Sequence, residues 1–142
     1  MAFFNAETGR FLFEDGLCLA GGMSAQELNS RFHTPSRDEL LLCMGAHPVR
    51  GGCLALLCRV DSLGLAQITL EVESVNGRDD AGADRQRSFL FQALGFKDPC
   101  PDTRQNVLIG CPSGRLLLYT DSYTGGAAAR FQMNRPDAPA EE

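Results

Sequence analysis

Residues 53–73 constrain the fold more than any other part of the sequence, because they hold two strand-length segments joined by a tight turn. Apolar and polar side chains alternate from residue 65 to residue 73, which is the period of a strand with one buried and one hydrated face. Residues 53–60 are apolar except at Arg59 and predict an interior strand. Residues 61–64 are turn formers ending in Gly, so the two segments predict an antiparallel hairpin.

A third short strand is predicted just before this hairpin, at residues 40–44, which are all apolar. Residues 45–52 connect it to the hairpin and contain three Gly and one Pro. Because these residues interrupt regular structure, the connection is predicted to be a turn or an irregular loop.

The N-terminal segment predicts a hairpin, a short strand and a helix. Residues 3–4 and 10–13 flank a polar stretch that ends in Gly, and a strand at residues 17–19 follows. Ser24 and Glu27 have the spacing of a capping box, and apolar residues on either side of the cap form a hydrophobic staple. A helix is therefore predicted from Ser24 to about residue 32, since Pro35 disfavours its continuation.

A second helix is predicted over residues 81–94, with Gly95 as its stop signal. Its mainly apolar stripe at helical spacing consists of Gln86, Phe89, Leu90, Ala93 and Leu94. Three closing strands are predicted at the end of the chain, at residues 106–109, 115–121 and 127–133.

The order of elements predicts an α+β fold: an antiparallel sheet of about five to seven strands with two helices packed on one face. At 142 residues, the chain has room for a single domain, predicted over residues 1–134. Residues 135–142 are rich in Pro, Ala and Glu and predict a disordered tail.

The net charge is -5 and the sequence pI is about 5.0. This balance disfavours nucleic acid and anionic membranes as partners and is compatible with a basic protein partner. The N-terminus has no basic region followed by a sustained apolar run, so a cytoplasmic location is expected.

A cysteine nucleophile with a histidine base would require one of the six cysteines to pair with His33 or His47, the two histidines. Carboxylate pairs could also be considered, but the 18 acidic residues single out none. No pair of cysteines has CxxC spacing, so no metal and no cofactor are expected. Buried free thiols are the simpler interpretation, and the protein is not expected to be an enzyme. The cysteines are Cys18, Cys43, Cys53, Cys58, Cys100 and Cys111.

Acidic residues concentrate around the end of the third central strand and the start of the second helix. Two interpretations are open: an ordinary hydrated surface with acids at a helix N-terminus, or a docking surface for a basic partner. Tyr119 and Tyr123 similarly fit either sheet packing or an interface. The candidate partner-binding residues are Glu71, Glu73, Asp79, Asp80 and Asp84.

Residues 8–19, followed by Gly22-Met23-Ser24 and a short helix ending in Phe32, resemble the start of small bacterial immunity proteins. Such proteins are encoded beside polymorphic or type VI secretion toxins and act in interbacterial competition. The resemblance implies a toxin inhibitor that works by protein–protein interaction, occluding the active site of a cognate toxin without catalysis of its own. It implies no particular contact residue and leaves the oligomeric state open.

Two alternatives remain. In size, acidity and mixture of elements the chain resembles class I type III secretion chaperones, although those begin with a helix and this chain with a predicted hairpin. A small thiol-dependent enzyme would instead require one cysteine with a depressed pKa that reacts fast near neutral pH.

Overall fold

The computed structural model describes residues 3–24, 26–28, 41–61, 63–76, 82–99, 105–121 and 125–134. Within them the strands form two antiparallel sheets, one of three strands and one of six. The six-stranded sheet agrees with the predicted α+β class. The predicted tail at residues 135–142 lies outside the described residues.

The three-stranded sheet holds the N-terminal strands β1 (Phe4–Asn5), β2 (Arg10–Leu12) and β3 (Cys18–Leu19), in that order. The predicted first hairpin and the strand after it are therefore confirmed. Phenylalanine rings hold this small sheet against the large one: the Phe4 and Phe11 rings lie 5.2 and 5.6 Å from that of Phe131. Both contacts are edge-on, the arrangement that aromatic quadrupoles favour.

The six-stranded sheet has the order β4-β5-β6-β9-β8-β7, so β9 lies between β6 and β8. The predicted central hairpin and the three closing strands are confirmed. The strands are β4 (Leu41–Val49), β5 (Gly52–Asp61), β6 (Gly64–Val75), β7 (Val107–Cys111), β8 (Gly114–Thr120) and β9 (Ala127–Met133).

The prediction of a loop at residues 45–52 is wrong for most of that segment. Strand β4 runs on to Val49, and only the turn at residues 50–51 separates it from β5. A register shift between Met44 and Ala46 accommodates Gly45 as a bulge. Pro48 is tolerated because β4 is an edge strand, where Pro need not donate a ladder hydrogen bond.

The helix predicted to start at Ser24 is α1, described at residues 26–28. Both halves of the capping box form: the Glu27 N–H donates to Ser24 Oγ and the Ser24 N–H donates to Glu27 Oε1, each at 3.0 Å. Leu28 is fully buried, and Met23 packs against the same core. The predicted end of α1 near Phe32 lies outside the described residues.

The second helix is α2 (Ala83–Leu94), which ends at Gly95 in the left-handed conformation, as predicted. Its buried stripe contains Phe89, Leu90 and Leu94, which the spacing predicts, but also Arg87. The helix contacts β6 and β9, so the core lies between α2, the small sheet and one face of the large sheet. In the part of the chain that the structure describes, no helix has the length and apolarity to cross a membrane.

Candidate partner-binding face

The face of the six-stranded sheet that points away from α2 is only partly buried, and we call it the outer face. Along β5 and β8 its side chains alternate with the buried ones of the core, whereas Thr69 on β6 and Ala128 on β9 belong to this face and are themselves buried. Cross-strand registers align two rows of its residues, Ala55-Glu71-Ala128-Tyr119 and Leu57-Thr69-Arg130-Leu117-Leu108.

The predicted acidic residues do not all lie on one face of the structure. Glu71 and Glu73 are exposed at the C-terminal part of β6, where the charge of Glu73 reaches Glu71. Asp84 is exposed in the first turn of α2, and α2 packs against the opposite face of the sheet. Asp79 and Asp80 lie outside the described residues. The outer face therefore carries Glu71 and Glu73 but not Asp84.

A further carboxylate, Asp121, completes the acidic part of the outer face. It follows β8, two residues beyond Tyr119, and it lies close enough to accept a hydrogen bond from the protonated Glu71 side chain. The two side chains meet across β9 because the residue between Glu71 and Tyr119 in the register is Ala128, which offers only a methyl group. The sheet thus brings together carboxylates that are far apart in sequence.

The surroundings of Glu71 disfavour its charged form and raise its pKa. Although Glu71 is exposed, its neighbours remove part of its hydration, and this desolvation is the largest cause that raises the pKa of Glu71. The charge of Asp121, the hydrogen bond to Asp121 and the charge of Glu73 raise the pKa of Glu71 further. A cation placed at this point by another molecule would act in the opposite direction, favouring the charged carboxylate.

Aromatic and apolar groups border these acids. Tyr119 is half-buried, and the Arg130 guanidinium lies 5.3 Å from its ring centre, a cation–π distance. Leu117 is half-buried and Leu108 is 65% exposed, at the edge of the sheet. Tyr123 lies outside the described residues. Tyr and Arg side chains are enriched at protein-binding surfaces, so Tyr119 and Arg130 are the residues of this face most typical of an interface.

Thiol chemistry finds little support among the described residues. Cys58 is buried, and burial raises the pKa of the Cys111 thiol, which is opposite to what a nucleophile requires. Cys18 and Cys53 are half-buried free thiols. Cys100 and the side chain of Cys43 are not described. No group of three His, Cys, Asp or Glu side chains in the described ranges could hold a metal ion.

His47 instead contacts a carboxylate, with Nδ1 2.7 Å from Asp15 Oδ2. Burial pushes the pKa of Asp15 upward, but hydrogen bonds from His47 and Leu17 and the His47 charge leave it below its usual value. Cys53 pairs with Pro48, the residue after His47. Because adjacent side chains of a strand point to opposite faces, the side chains of His47 and Cys53 lie on opposite faces of the sheet, and His47 does not face the Cys53 thiol. His33 lies outside the described residues.

A cleft of about 570 Å³ lies between the small sheet, the β4–β5 turn and α2. Buried Phe3, Val49, Phe89 and Leu94 contribute to its walls. The ionisable side chains among its described lining residues are Glu14 and Arg50. This pair lacks the nucleophile and base arrangement of a catalytic site, so the outer face is the better candidate.

Sequence reasoning missed Asp121, although one signal was available. Tyr119 and Asp121 are two residues apart and so share a face of β8, as Glu71 and Glu73 do on β6. What could not be foreseen is that β9 inserts between these strands with Ala128 at the point of contact.

The chain matches no protein-family model, no curated protein and no solved structure.

Proposed function

We propose that this protein is an immunity protein that binds a cognate secreted antibacterial toxin through the outer face and occludes the toxin's active site. The supporting observation is the acidic group at Glu71, where burial, Asp121 and Glu73 all disfavour the charged carboxylate. A Lys or Arg side chain from a basic toxin domain would relieve this repulsion on binding. The class of partner comes from the resemblance of residues 8–32 to immunity proteins.

The geometry of the outer face suits an inhibitor. Tyr119 is a half-buried aromatic anchor in cation–π contact with Arg130, and Leu117 adds apolar contact area beside it. The acids would steer a basic partner during encounter and fix its orientation. No chemistry is required of the inhibitor, because it needs only to cover the toxin's site.

The first experiment co-expresses this protein with the product of the neighbouring open reading frame and scores both complex formation and growth rescue. The decisive variant is Glu71→Lys, which reverses charge at the centre of the acidic group. We expect Glu71→Lys to weaken the complex by at least about tenfold, equivalent to 1.4 kcal/mol, mostly through slower association. Raising the salt concentration should weaken the wild-type complex in the same direction.

Two further variants make the result specific. Glu7→Lys applies the same charge change at an exposed position of the β1–β2 turn and should leave the affinity unchanged. Asp84→Lys tests whether the partner binds the outer face or the whole acidic segment predicted from the sequence. Asp84 belongs to that segment but lies on α2, away from the outer face. If Asp84→Lys weakens binding while Glu71→Lys does not, the outer face is the wrong surface.

The other outcomes distinguish the alternatives. A complex with a neighbour that is not toxic would favour a secretion chaperone. The absence of any complex, together with one cysteine that reacts fast with an alkylating agent, would favour a thiol-dependent enzyme.

A further inference from the structure

Strand β7 is an edge of the six-stranded sheet, and no strand in the described ranges pairs with its outer side. Exposed edge strands usually carry a charge, a Pro or a bulge that prevents pairing with another chain. The opposite edge strand, β4, has two of these features, a bulge at Gly45 and Pro48, and the Glu14 N–H also donates to the Pro48 carbonyl. β7 is Val-Leu-Ile-Gly-Cys and pairs with β8 without any register shift, so it has none of the three.

The register determines which backbone groups of β7 point outward. Cys111 pairs with Gly114 across a two-residue turn, and the closing pair of such a hairpin exchanges its hydrogen bonds. Bonded and non-bonded pairs then alternate along the ladder, so Val107 and Ile109 bond to β8. The N–H and C=O groups of Leu108 and Gly110 therefore point away from the sheet, and both residues are exposed.

The side chains of β7 are complementary to a second β7. We infer that β7 pairs antiparallel with β7 of a second copy of this chain, about a two-fold axis at Ile109. Leu108 of each copy then lies opposite Gly110 of the other, and the outward groups of these residues form four backbone hydrogen bonds. The Leu108 side chain, which is 65% exposed in one chain, then packs over Gly110 of the second copy, where no side chain blocks it.

Charge also favours this edge for self-association. Two copies with a net charge of -5 repel each other over most of their surfaces. β7 has no charged side chain, and the Cys111 thiol stays neutral because burial raises its pKa. Added salt screens the general repulsion and leaves the edge contact intact, so self-association should strengthen with salt.

Sedimentation velocity of the full chain, under reducing conditions from micromolar to submillimolar concentration, tests this pairing. The mass should rise toward twice the 15.4 kDa of one chain. Leu108→Pro removes an outward N–H without removing a bond to β8, and Leu108→Lys adds a charge at the edge. Each should raise the dissociation constant of the dimer by at least about tenfold, or 1.4 kcal/mol. Leu63→Lys changes the other large apolar side chain that is exposed among the described residues, so it is the matched control and should dimerise normally.

Amide hydrogen exchange supplies a second test that needs no variant. At low concentration the Leu108 and Gly110 amides should exchange fast while those of Val107 and Ile109 are protected. At high concentration all four should be protected. A chain that stays monomeric at every concentration, or a dimer that survives both Leu108 variants, would overturn the inference.

Discussion

The buried ion pair between Arg87 and Asp98 offers the sharpest test of how this fold is held together. Arg87 on α2 is 5% exposed, and its Nε and Nη2 donate to the two Asp98 oxygens at 2.7 and 3.2 Å. Its Nη1 donates to the Gln105 carbonyl at 2.6 Å, and its guanidinium lies 5.4 Å from the Phe91 ring centre. One side chain therefore links the helix to the loop after it and to the residues before β7.

Asp98→Asn would remove the carboxylate that pairs with the buried Arg87 cation, and breaking such a pair by removing one partner costs about 3 kcal/mol or more. Arg87→Met should cost less, about 1–2 kcal/mol, because the carboxylate left behind is 21% exposed and can be hydrated. The two substitutions should not be additive, since both remove the same interaction.

Urea unfolding followed by far-ultraviolet circular dichroism measures these costs, because the chain has no Trp for fluorescence. With a slope of about 2 kcal/mol per molar urea, Asp98→Asn should lower the midpoint by about 1.5 M. Arg85→Met changes an exposed arginine on the same helix and should shift stability by less than about 0.5 kcal/mol. A cost below about 1 kcal/mol for Asp98→Asn, or equal costs for Arg85→Met and Arg87→Met, would refute the reasoning.

Two smaller predictions concern the outer face and the β4–β5 turn. Because the folded pKa of Glu71 is raised, its charged form is disfavoured in the folded state, so Glu71→Gln should stabilise the protein at pH 7 by less than about 1 kcal/mol. That gain should shrink as the pH falls through the folded pKa and vanish below the usual pKa of Glu; a constant gain in pH-dependent unfolding would contradict it. Gly52→Ala places a methyl group against the Ser74 carbonyl and 2.8 Å from Phe89 Cζ, and should cost about 2 kcal/mol in urea unfolding. Gly45→Ala, where nothing lies within 4 Å of the added methyl, should cost much less, and equal costs would show that the turn relaxes.

Features governed by neighbours in sequence were predictable. The Ser24–Glu27 capping box and the stop at Gly95 depend on interactions within a few residues, and both form as expected. Alternation along β6 likewise identified Ile68 and Leu70 as core residues. It did not identify Leu65, which is fully buried because the register with β5 shifts between Arg59 and Val60.

Features governed by distant segments were not predictable from local patterns. Gly45 and Pro48 indicate a break in most contexts, and only the position of β4 at the sheet edge makes them compatible with a strand. From the sequence alone Arg87 is expected at the surface. It is buried because Asp98 and Gln105, which lie further along the chain, accept hydrogen bonds from its guanidinium. The contact of Glu71 with Asp121 likewise depends on the insertion of β9 between two strands that are distant in sequence.

The two proposed interactions meet at Leu108 but have different centres: partner binding is centred on Glu71 in β6, and self-association uses the backbone edge of β7. A two-fold axis at Ile109 perpendicular to the sheet would place the outer faces of both copies on the same side of a continuous sheet. Glu71 lies on β6, and the order β6-β9-β8-β7 puts seven strand spacings between the two copies of Glu71, or about 34 Å at about 4.8 Å each. That separation is about equal to the diameter of a compact domain of about 100 residues, because a radius of gyration of about 13 Å corresponds to a sphere about 34 Å across. A small partner domain centred on Glu71 therefore just fits on each copy, and salt should weaken partner binding while it strengthens the pairing of β7.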